Sequence, residues 1–149
     1  MLKWLFFALI VRPFVLLVFG IHVRGREHLP STPCILVANH NSHLDTLVLM
    51  SLFPLGRIHR IRPVAAADYF MINPLVRWFS THIIGIIPLH RKVEKSHTHP
   101  LEGVKNALLS GDSIIIFPEG SRGKAEQMSK FKTGIAHLAR MVPQIPVLP

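Results

Sequence analysis

The sequence predicts an α/β fold in which a mixed, largely parallel sheet is flanked by helices. Two observations predict this fold, and a third predicts a segment that precedes it. Short apolar runs of strand length alternate with helical stretches, and three of these runs end directly in polar residues. The third is an apolar stretch at residues 1–21, which predicts a hydrophobic, membrane-associated helical segment ahead of one domain at residues 22–149.

Periodicity and helix-ending residues define the elements of the domain. A short strand and a turn are expected from His22 onward, before Pro30. Further strands are predicted at residues 34–38, 83–89, 113–117 and 145–148. Helices are predicted at residues 42–53, 68–80 with an interruption at Asn73-Pro74, 100–110 before Gly111, and 133–141. Because the chain stops inside its last apolar run, we expect the domain to be truncated at its C-terminus.

The N-terminal segment carries Arg12-Pro13 at its middle. A charge at the bilayer centre is costly and proline breaks the helical ladder, so we expect a broken pair of interfacial helices more than a single span. A signal peptide is not expected, because apolar character resumes after Arg12-Pro13 without a small-residue cleavage site. The alternative is a hydrophobic helix packed on the domain.

Composition favours an anionic membrane partner over nucleic acid. Seventeen Lys and Arg against eight Asp and Glu give a formal charge of +9. A positive charge of this size favours binding to any anionic partner. A mean hydropathy of +0.36 is high for a soluble nucleic-acid-binding protein. The single Tyr adds little to a base-stacking surface, so no nucleic-acid partner is expected. The one cysteine, Cys34, lies in an apolar run and is expected to be a buried thiol.

His40 and Asp45 follow the first buried strand and are candidates for a base and the carboxylate that orients it. On a continuous helix they would point about 140° apart, so they meet only if His40 lies in a loop before the helix. The pattern from Ser42 to Asp45 also matches a capping box, which alone would explain the carboxylate. His43 offers a metal alternative, but the spacing is not that of known zinc motifs, and no metal is expected.

A second group of polar residues follows the strand predicted at 113–117. It combines Gly120, Ser121 and Arg122, which suit a phosphate through backbone donors and a guanidinium. Glu119 is unusual in such a site; it is expected either to hydrogen-bond a substrate hydroxyl or to hold Arg122 in position. Arg91, delivered by another strand, is a further candidate cation, although a solvated arginine is the simpler interpretation.

Taken together, these segments resemble the lysophospholipid acyltransferase family, in particular its 1-acylglycerol-3-phosphate acyltransferases. Residues 39–45, NHNSHLD, resemble the family's first motif of histidine, four residues and aspartate. Residues 85–91, GIIPLHR, resemble the second, and residues 117–122, FPEGSR, the third. Residues 142–147 are similar to the fourth. The first and third motifs are the specific ones.

The resemblance implies transfer of a fatty acyl group from acyl-CoA or acyl carrier protein to a lysophospholipid hydroxyl, without a cofactor. It implies that His40, paired with Asp45, activates the hydroxyl. It implies that the acceptor is held by Arg91, Glu119, Gly120, Ser121 and Arg122. Other acceptors remain open, namely glycerol-3-phosphate, a lysophosphatidylcholine-like lipid or a lyso-aminolipid, as does a catalytically silent lipid-binding protein. The expected location is the cytoplasmic face of the inner or plasma membrane.

Overall fold

Five strands form one sheet in the computed structural model, which describes residues 1–20, 22–70, 73–89, 99–121 and 129–149. They are β1 (Ile35–Val37), β2 (Ile61–Ala66), β3 (Ile87–Leu89), β4 (Ser113–Ile116) and β5 (Val147–Leu148). Their order across the sheet is β3-β2-β4-β1-β5, and the pairings are parallel. The predicted α/β class is confirmed, with parallel pairing throughout the described part.

Helices precede and connect the strands. They are α1 (Leu2–Phe19, π-helical at Phe7–Val11), α2 (Asp45–Leu52), α3 (Ala67–Phe70), α4 (Pro74–Trp78, continued by a π-helical stretch at Phe79–Ile84), α5 (Glu102–Leu109) and α6 (Gly134–Met141). Two 3-10 helices cover Arg26–His28 and Leu55–Arg60. The predicted interruption before α4 is confirmed: the Asn73 side chain accepts hydrogen bonds from the first backbone amides of this helix.

The sheet is covered on both faces, as expected for parallel strands. Leu36 and Ile115 face a core formed with α1, α2 and the 3-10 helix at Leu55–Arg60. Their neighbours Ile35 and Ile114 point the other way, into a core formed with α5 and α6. Alternation along each strand therefore divides the apolar residues between two helical layers. Cys34 is buried in the first core as predicted, and burial raises the pKa of its thiol.

Three elements differ between the prediction and the structure. β2 was not predicted, because Arg62 and Pro63 interrupt its apolar pattern; Pro63 nevertheless lies opposite Ile115 in the sheet. The strand expected from His22 is not formed in the described residues 22–30, where a 3-10 helix lies instead. The strand expected at residues 83–89 begins only at residue 87, because the preceding helix continues until Gly85 ends it with a φ of +81°.

Helix α1 is continuous, in contrast to the break expected at Arg12-Pro13. The guanidinium of Arg12 turns toward the domain and donates hydrogen bonds to the carbonyls of Ser51 and Phe53 at the C-terminal end of α2. The ammonium of Lys3 is also turned inward and donates to the carbonyl of Ile61 at 2.7 Å. Both charges of the helix are thus satisfied by the protein, and a π-helical stretch ends at Val11, two residues before the proline.

The opposite face of α1 is apolar and exposed. By length and composition the helix is apolar enough to cross a membrane, yet one side of it packs on the domain through Phe7, Val11 and Val15. The exposed side carries Leu2, Leu5, Leu9, Ile10, Phe14, Leu16, Leu17, Val18 and Phe19. A helix that turns its charges inward and its leucines outward has the polarity opposite to that of a surface helix in water.

Candidate active site

The site lies where β1 and β4 end. These two strands are adjacent and parallel, with Val37 opposite Ile116, so their carboxyl ends meet at one edge of the sheet. The residues that follow β1 lead to His40, and those that follow β4 run from Phe117 to Ser121. The two specific motifs of the sequence are therefore brought together by strand pairing, at the edge where ligands of α/β sheets bind.

His40 and Asp45 form the predicted pair. Nδ1 of His40 lies 3.2 Å from Oδ2 of Asp45, and the imidazole lies in the loop before α2. Because an ionised carboxylate only accepts hydrogen bonds, this contact places the proton of a neutral imidazole on Nδ1. Nε2 then carries the lone pair, and the ring is 19% exposed. The pair has the geometry of a base with its orienting carboxylate.

The same carboxylate also organises the turn into α2. Oδ2 of Asp45 accepts hydrogen bonds of 2.8 Å from the backbone amides of Asn41 and Ser42, and the hydroxyl of Ser42 accepts one from the amide of Leu44. These contacts resemble the predicted capping box, although the regular helix begins at Asp45. The two interpretations of Asp45 are therefore compatible: it orients the imidazole and closes the turn at once.

Phe117 stacks on the imidazole of His40. Their ring centroids are 4.0 Å apart and the planes differ by 20°. This contact limits rotation of a ring that Asp45 holds at one nitrogen only. The imidazole is therefore fixed from its edge by a carboxylate and on one face by an aromatic side chain.

Glu119 holds the two sides of the site together. Oε1 of Glu119 accepts a hydrogen bond from the amide of His40 at 3.1 Å, and Oε2 accepts one from the amide of Ser129 at 3.0 Å. The residue is 3% exposed. These two backbone hydrogen bonds, chiefly the one from His40, lower the pKa of the carboxyl group and keep it ionised.

A cavity of about 450 Å³ opens beside His40. Its walls are mainly apolar, and its polar side chains are those of His40, His43, Thr46, Ser121 and Lys132. The other lining residues are Pro63, Val64, Ala65, Ala66, Ile86, Leu89, Leu101, Ile116, Phe117, Pro118, Gly120, Gly134 and Ile135. Apolar walls with a few convergent polar groups are typical of a small-molecule site.

The structure brings together most, but not all, of the predicted site residues. Gly120 and Ser121 line the cavity with His40, whereas Glu119 is not among its described lining residues and spends both oxygens on backbone amides. Arg91 and Arg122 lie outside the described residues. In the described ranges no group of three or more His, Cys, Asp and Glu side chains is arranged to hold a metal ion.

Phe117 and Lys132 were not recognised as site residues from the sequence. A usable signal exists for both. Phe117 is the last apolar residue before a polar turn, and Lys132 lies just before the predicted helix at residues 133–141. In a parallel sheet, the connection from a strand to the following helix starts at the edge where ligands bind, so residues at both ends of this connection are candidates for the site.

Comparison with known proteins agrees with the fold and the motifs. A family model described as Acyltransferase matches residues 20–149. The chain is 33% identical over 129 residues to a chloroplastic 1-acyl-sn-glycerol-3-phosphate acyltransferase of Brassica napus, covering 84% of this chain and 36% of that protein. It is 34% identical over 133 residues to 1-acyl-sn-glycerol-3-phosphate acyltransferase alpha of Mus musculus, covering 87% and 44%.

A solved structure shares the fold. The crystal structure of the 1-acyl-sn-glycerophosphate acyltransferase PlsC from Thermotoga maritima aligns with a TM-score of 0.63 at 24% identity, covering 85% of this chain and 47% of that one. The chain thus spans less than half the length of each of these three proteins. The family is shown by two observations: the family model matches residues 20–149, and the identity to the two acyltransferases is above 30%. This chain belongs to the acyltransferase family.

Proposed function

We propose that this chain transfers a fatty acyl group from a thioester, acyl-CoA or acyl carrier protein, to the hydroxyl of 1-acylglycerol-3-phosphate, giving phosphatidic acid. The observation that carries the proposal is the His40 imidazole. It is held at Nδ1 by Asp45 and lines a largely apolar cavity. The names of the relatives from Brassica napus and Mus musculus support this acceptor.

The proposed reaction needs only proton transfer and acyl transfer. Nε2 of His40 takes the proton of the acceptor hydroxyl while the hydroxyl oxygen forms a bond to the carbonyl carbon of the thioester. Asp45 stabilises the imidazolium that forms. The tetrahedral intermediate then expels the thiolate, and the imidazolium returns its proton to that sulfur. The products are an ester and a free thiol, and no cofactor or metal takes part.

The other predicted residues have separate proposed roles. The hydroxyl of Ser121 lies in the cavity wall, and with Arg91 and Arg122 it would bind the phosphate of the acceptor. Gly120 lines the same wall and would contact the acceptor there, although its amide already donates to the carbonyl of Phe117 at 3.0 Å. For Glu119 we propose a positioning role, because both carboxylate oxygens are engaged by backbone amides. It would hold the His40 loop against the segment that starts at Ser129.

Attachment to one leaflet of a membrane is part of the proposal. The exposed apolar face of α1 continues onto α4 and its π-helical extension, because the ring of Phe6 contacts that of Phe79 at a centroid distance of 5.3 Å. Exposed side chains of Leu75, Val76 and Trp78 extend this surface. An interfacial helix buries such a face at the boundary between headgroups and acyl chains. The cytoplasmic face is proposed because acyl-CoA and acyl carrier protein are cytoplasmic donors.

The test is thiol release from acyl-CoA by the protein in a membrane fraction, with a panel of lysolipid acceptors and glycerol-3-phosphate. We expect release that depends on 1-acylglycerol-3-phosphate and formation of phosphatidic acid. The variant His40→Ala should lose about 10²-fold or more in kcat while it stays bound to membranes. His28→Ala, a change at an exposed histidine that is not among the described residues lining the cavity, should retain activity.

The panel also decides between this function and its alternatives. A preference for glycerol-3-phosphate, a lysophosphatidylcholine-like lipid or a lyso-aminolipid would replace the proposed acceptor. Absence of turnover with every acceptor, in a protein that binds lysolipid, would show a silent lipid-binding protein. Unchanged thiol release by His40→Ala would contradict the role of His40 as base.

A further inference from the structure

Lys132 reaches into the cavity from the segment that follows the FPEGSR motif. Its side chain lies against Gly120: a Cβ atom on that glycine would lie 2.7 Å from Nζ and 2.9 Å from both Cε and Cδ of the lysine. The lysine lines the same cavity as His40 and Ser121. Its long side chain therefore occupies space that is available only because residue 120 has no side chain.

Backbone hydrogen bonds fix the segment that carries the lysine. The amide of Lys132 donates to the carbonyl of Pro118 at 2.9 Å. Three residues earlier, the amide of Ser129 donates to Oε2 of Glu119 at 3.0 Å. Residues 129–132 are thus tied at two points to the turn after β4, which places the backbone of Lys132 beside the cavity.

The charge of Lys132 is not neutralised within the described cavity wall. The described lining residues include no aspartate or glutamate, and among them Lys132 is the one with a permanent positive charge. Among the described residues, the carboxylate nearest to Lys132 in sequence is that of Glu119, which is buried and bound to two amides. An ammonium that lines a largely apolar cavity, with no carboxylate among the described residues of the wall, is suited to an anionic ligand.

We propose that Lys132 binds the phosphate of the acceptor and thereby sets the preference for a phosphate-bearing lysolipid. The inference rests on the proposed function. In 1-acylglycerol-3-phosphate the reacting hydroxyl and the phosphate are on adjacent carbons, so a phosphate contact must lie in the same cavity as His40. The phosphates of acyl-CoA are separated from the thioester by the whole pantetheine arm, which places them farther from the base.

The test compares Lys132→Met with Lys130→Met in membrane fractions. Lys130 is an exposed lysine in the same short segment that is not among the described lining residues, which makes it a matched control. We expect Lys132→Met to raise the KM for 1-acylglycerol-3-phosphate about 10- to 100-fold, the size typical of a charge-assisted hydrogen bond. The KM for acyl-CoA should change less than about twofold.

Two further measurements separate binding from a structural role. With 1-monoacylglycerol, which lacks the phosphate, Lys132→Met should lower the rate much less than with 1-acylglycerol-3-phosphate. Lys132→Arg, which keeps the charge, should recover most of the affinity for the phosphate-bearing acceptor. A structural defect would instead lower the rate with both acceptors and would not respond to the charge at this position.

Results that contradict the role of Lys132 can be distinguished from results that contradict the proposed function. If the wild type acylates no lysolipid, the proposed function fails. If the wild type is active and Lys132→Met leaves the acceptor KM unchanged, or lowers turnover of both acceptors alike, the role of Lys132 is wrong. A rise in the KM for acyl-CoA alone would assign the lysine to the donor's phosphates and overturn the acceptor assignment.

Discussion

The backbone amide of His40 donates a hydrogen bond of 3.1 Å to Oε1 of Glu119, which lies 79 residues further along the chain. The contact joins the loop after β1 to the turn after β4. The second oxygen of the same carboxylate binds the amide of Ser129, where the segment that carries Lys132 begins. One buried carboxylate thus sets the position of the proposed base relative to the opposite wall of the cavity.

Glu119→Gln is expected to lower both kcat and Tm. The glutamine amide has one accepting oxygen, so either His40 or Ser129 loses its acceptor and faces an NH₂ group. Misplacement of the imidazole should lower kcat about tenfold or more. Glu102→Gln, which removes the partner of Lys105 in a partly exposed pair on α5, should change neither quantity measurably. A normal kcat in Glu119→Gln would contradict the positioning role.

Acid stability should depend on the same residue. The pKa of Glu119 is lowered from its ordinary value of 4.5, first by the amide of His40 and then by that of Ser129. A lowered pKa in the folded state stabilises the protein above pH 4.5, and this contribution is lost as the pH falls from there through the folded pKa. Denaturant unfolding of Glu119→Gln between pH 6 and about 3 should therefore show a shallower loss of stability than the wild type.

Asp45→Asn and Ser42→Ala should separate the two roles of the turn before α2. The asparagine oxygen can still accept from the amides of Asn41 and Ser42, but it cannot stabilise an imidazolium, so kcat should fall about 10²-fold or more with little change in Tm. Ser42→Ala removes the acceptor of the Leu44 amide and should cost about 1 kcal/mol of stability at normal kcat. Equal kcat in Asp45→Asn and the wild type would leave the carboxylate a purely structural role.

Phe117→Leu should lower kcat about tenfold by removing the ring that stacks on His40. Leucine keeps the site apolar, so the effect reports on orientation of the imidazole. Phe117→Tyr retains the ring and should retain most of the activity. Steady-state kinetics with saturating acyl-CoA measure the difference, and similar kcat values for the leucine and tyrosine variants would show that stacking is not required.

The sequence was sufficient where local pattern and strand ends carry the information. A buried strand followed directly by polar residues predicted β1 and β4, whose ends lie at one edge because the strands are parallel. The meeting of His40 with Asp45 was predicted from a loop position of His40 before the helix. The turn before α2 was likewise predicted from the spacing of Ser42 and Asp45. The family resemblance drawn from the motifs is confirmed by the match over residues 20–149.

Other features depend on contacts that no local pattern reveals. β2 was missed because Arg62 and Pro63 interrupt its apolar residues, and only its place beside β4 makes it a strand. Glu119 was expected to bind a substrate hydroxyl or Arg122. Its observed partners could not be predicted, because they are backbone amides, which every residue except proline possesses. The inward turn of Arg12 depends on the free carbonyls at the end of α2, which lie far away in sequence.

Membrane attachment should respond to charges on the exposed apolar surface. Leu17 is 85% exposed on α1 and Leu75 is 78% exposed on α4, whereas Leu109 is 55% exposed on α5, on the other side of the sheet. Leu17→Glu and Leu75→Glu should move protein from the membrane to the soluble fraction on ultracentrifugation, because an ionised carboxylate opposes insertion of that face. Leu109→Glu should not. Loss of membrane binding in Leu109→Glu alone would place the lipid on the opposite layer.

Gly120→Ala and Gly111→Ala separate backbone strain from displacement of Lys132. Both glycines have a positive φ, +70° at Gly120 and +93° at Gly111, so either alanine should cost about 1–2 kcal/mol of stability. Only at Gly120 would the new Cβ meet the lysine side chain; at Gly111 nothing lies within 4 Å. Gly120→Ala alone should therefore raise the KM for the phosphate-bearing acceptor.

The double variant makes this interpretation testable. If Gly120 acts by leaving room for Lys132, then Gly120→Ala combined with Lys132→Met should have an acceptor KM close to that of Lys132→Met alone, because both changes remove the same contact. If Gly120→Ala instead acts by shifting the turn itself, whose amide at residue 120 donates to the carbonyl of Phe117, the two effects on KM should multiply. Multiplied effects would mean that the glycine and the lysine act independently, whereas non-additive effects would mean that the glycine provides the space that the lysine needs.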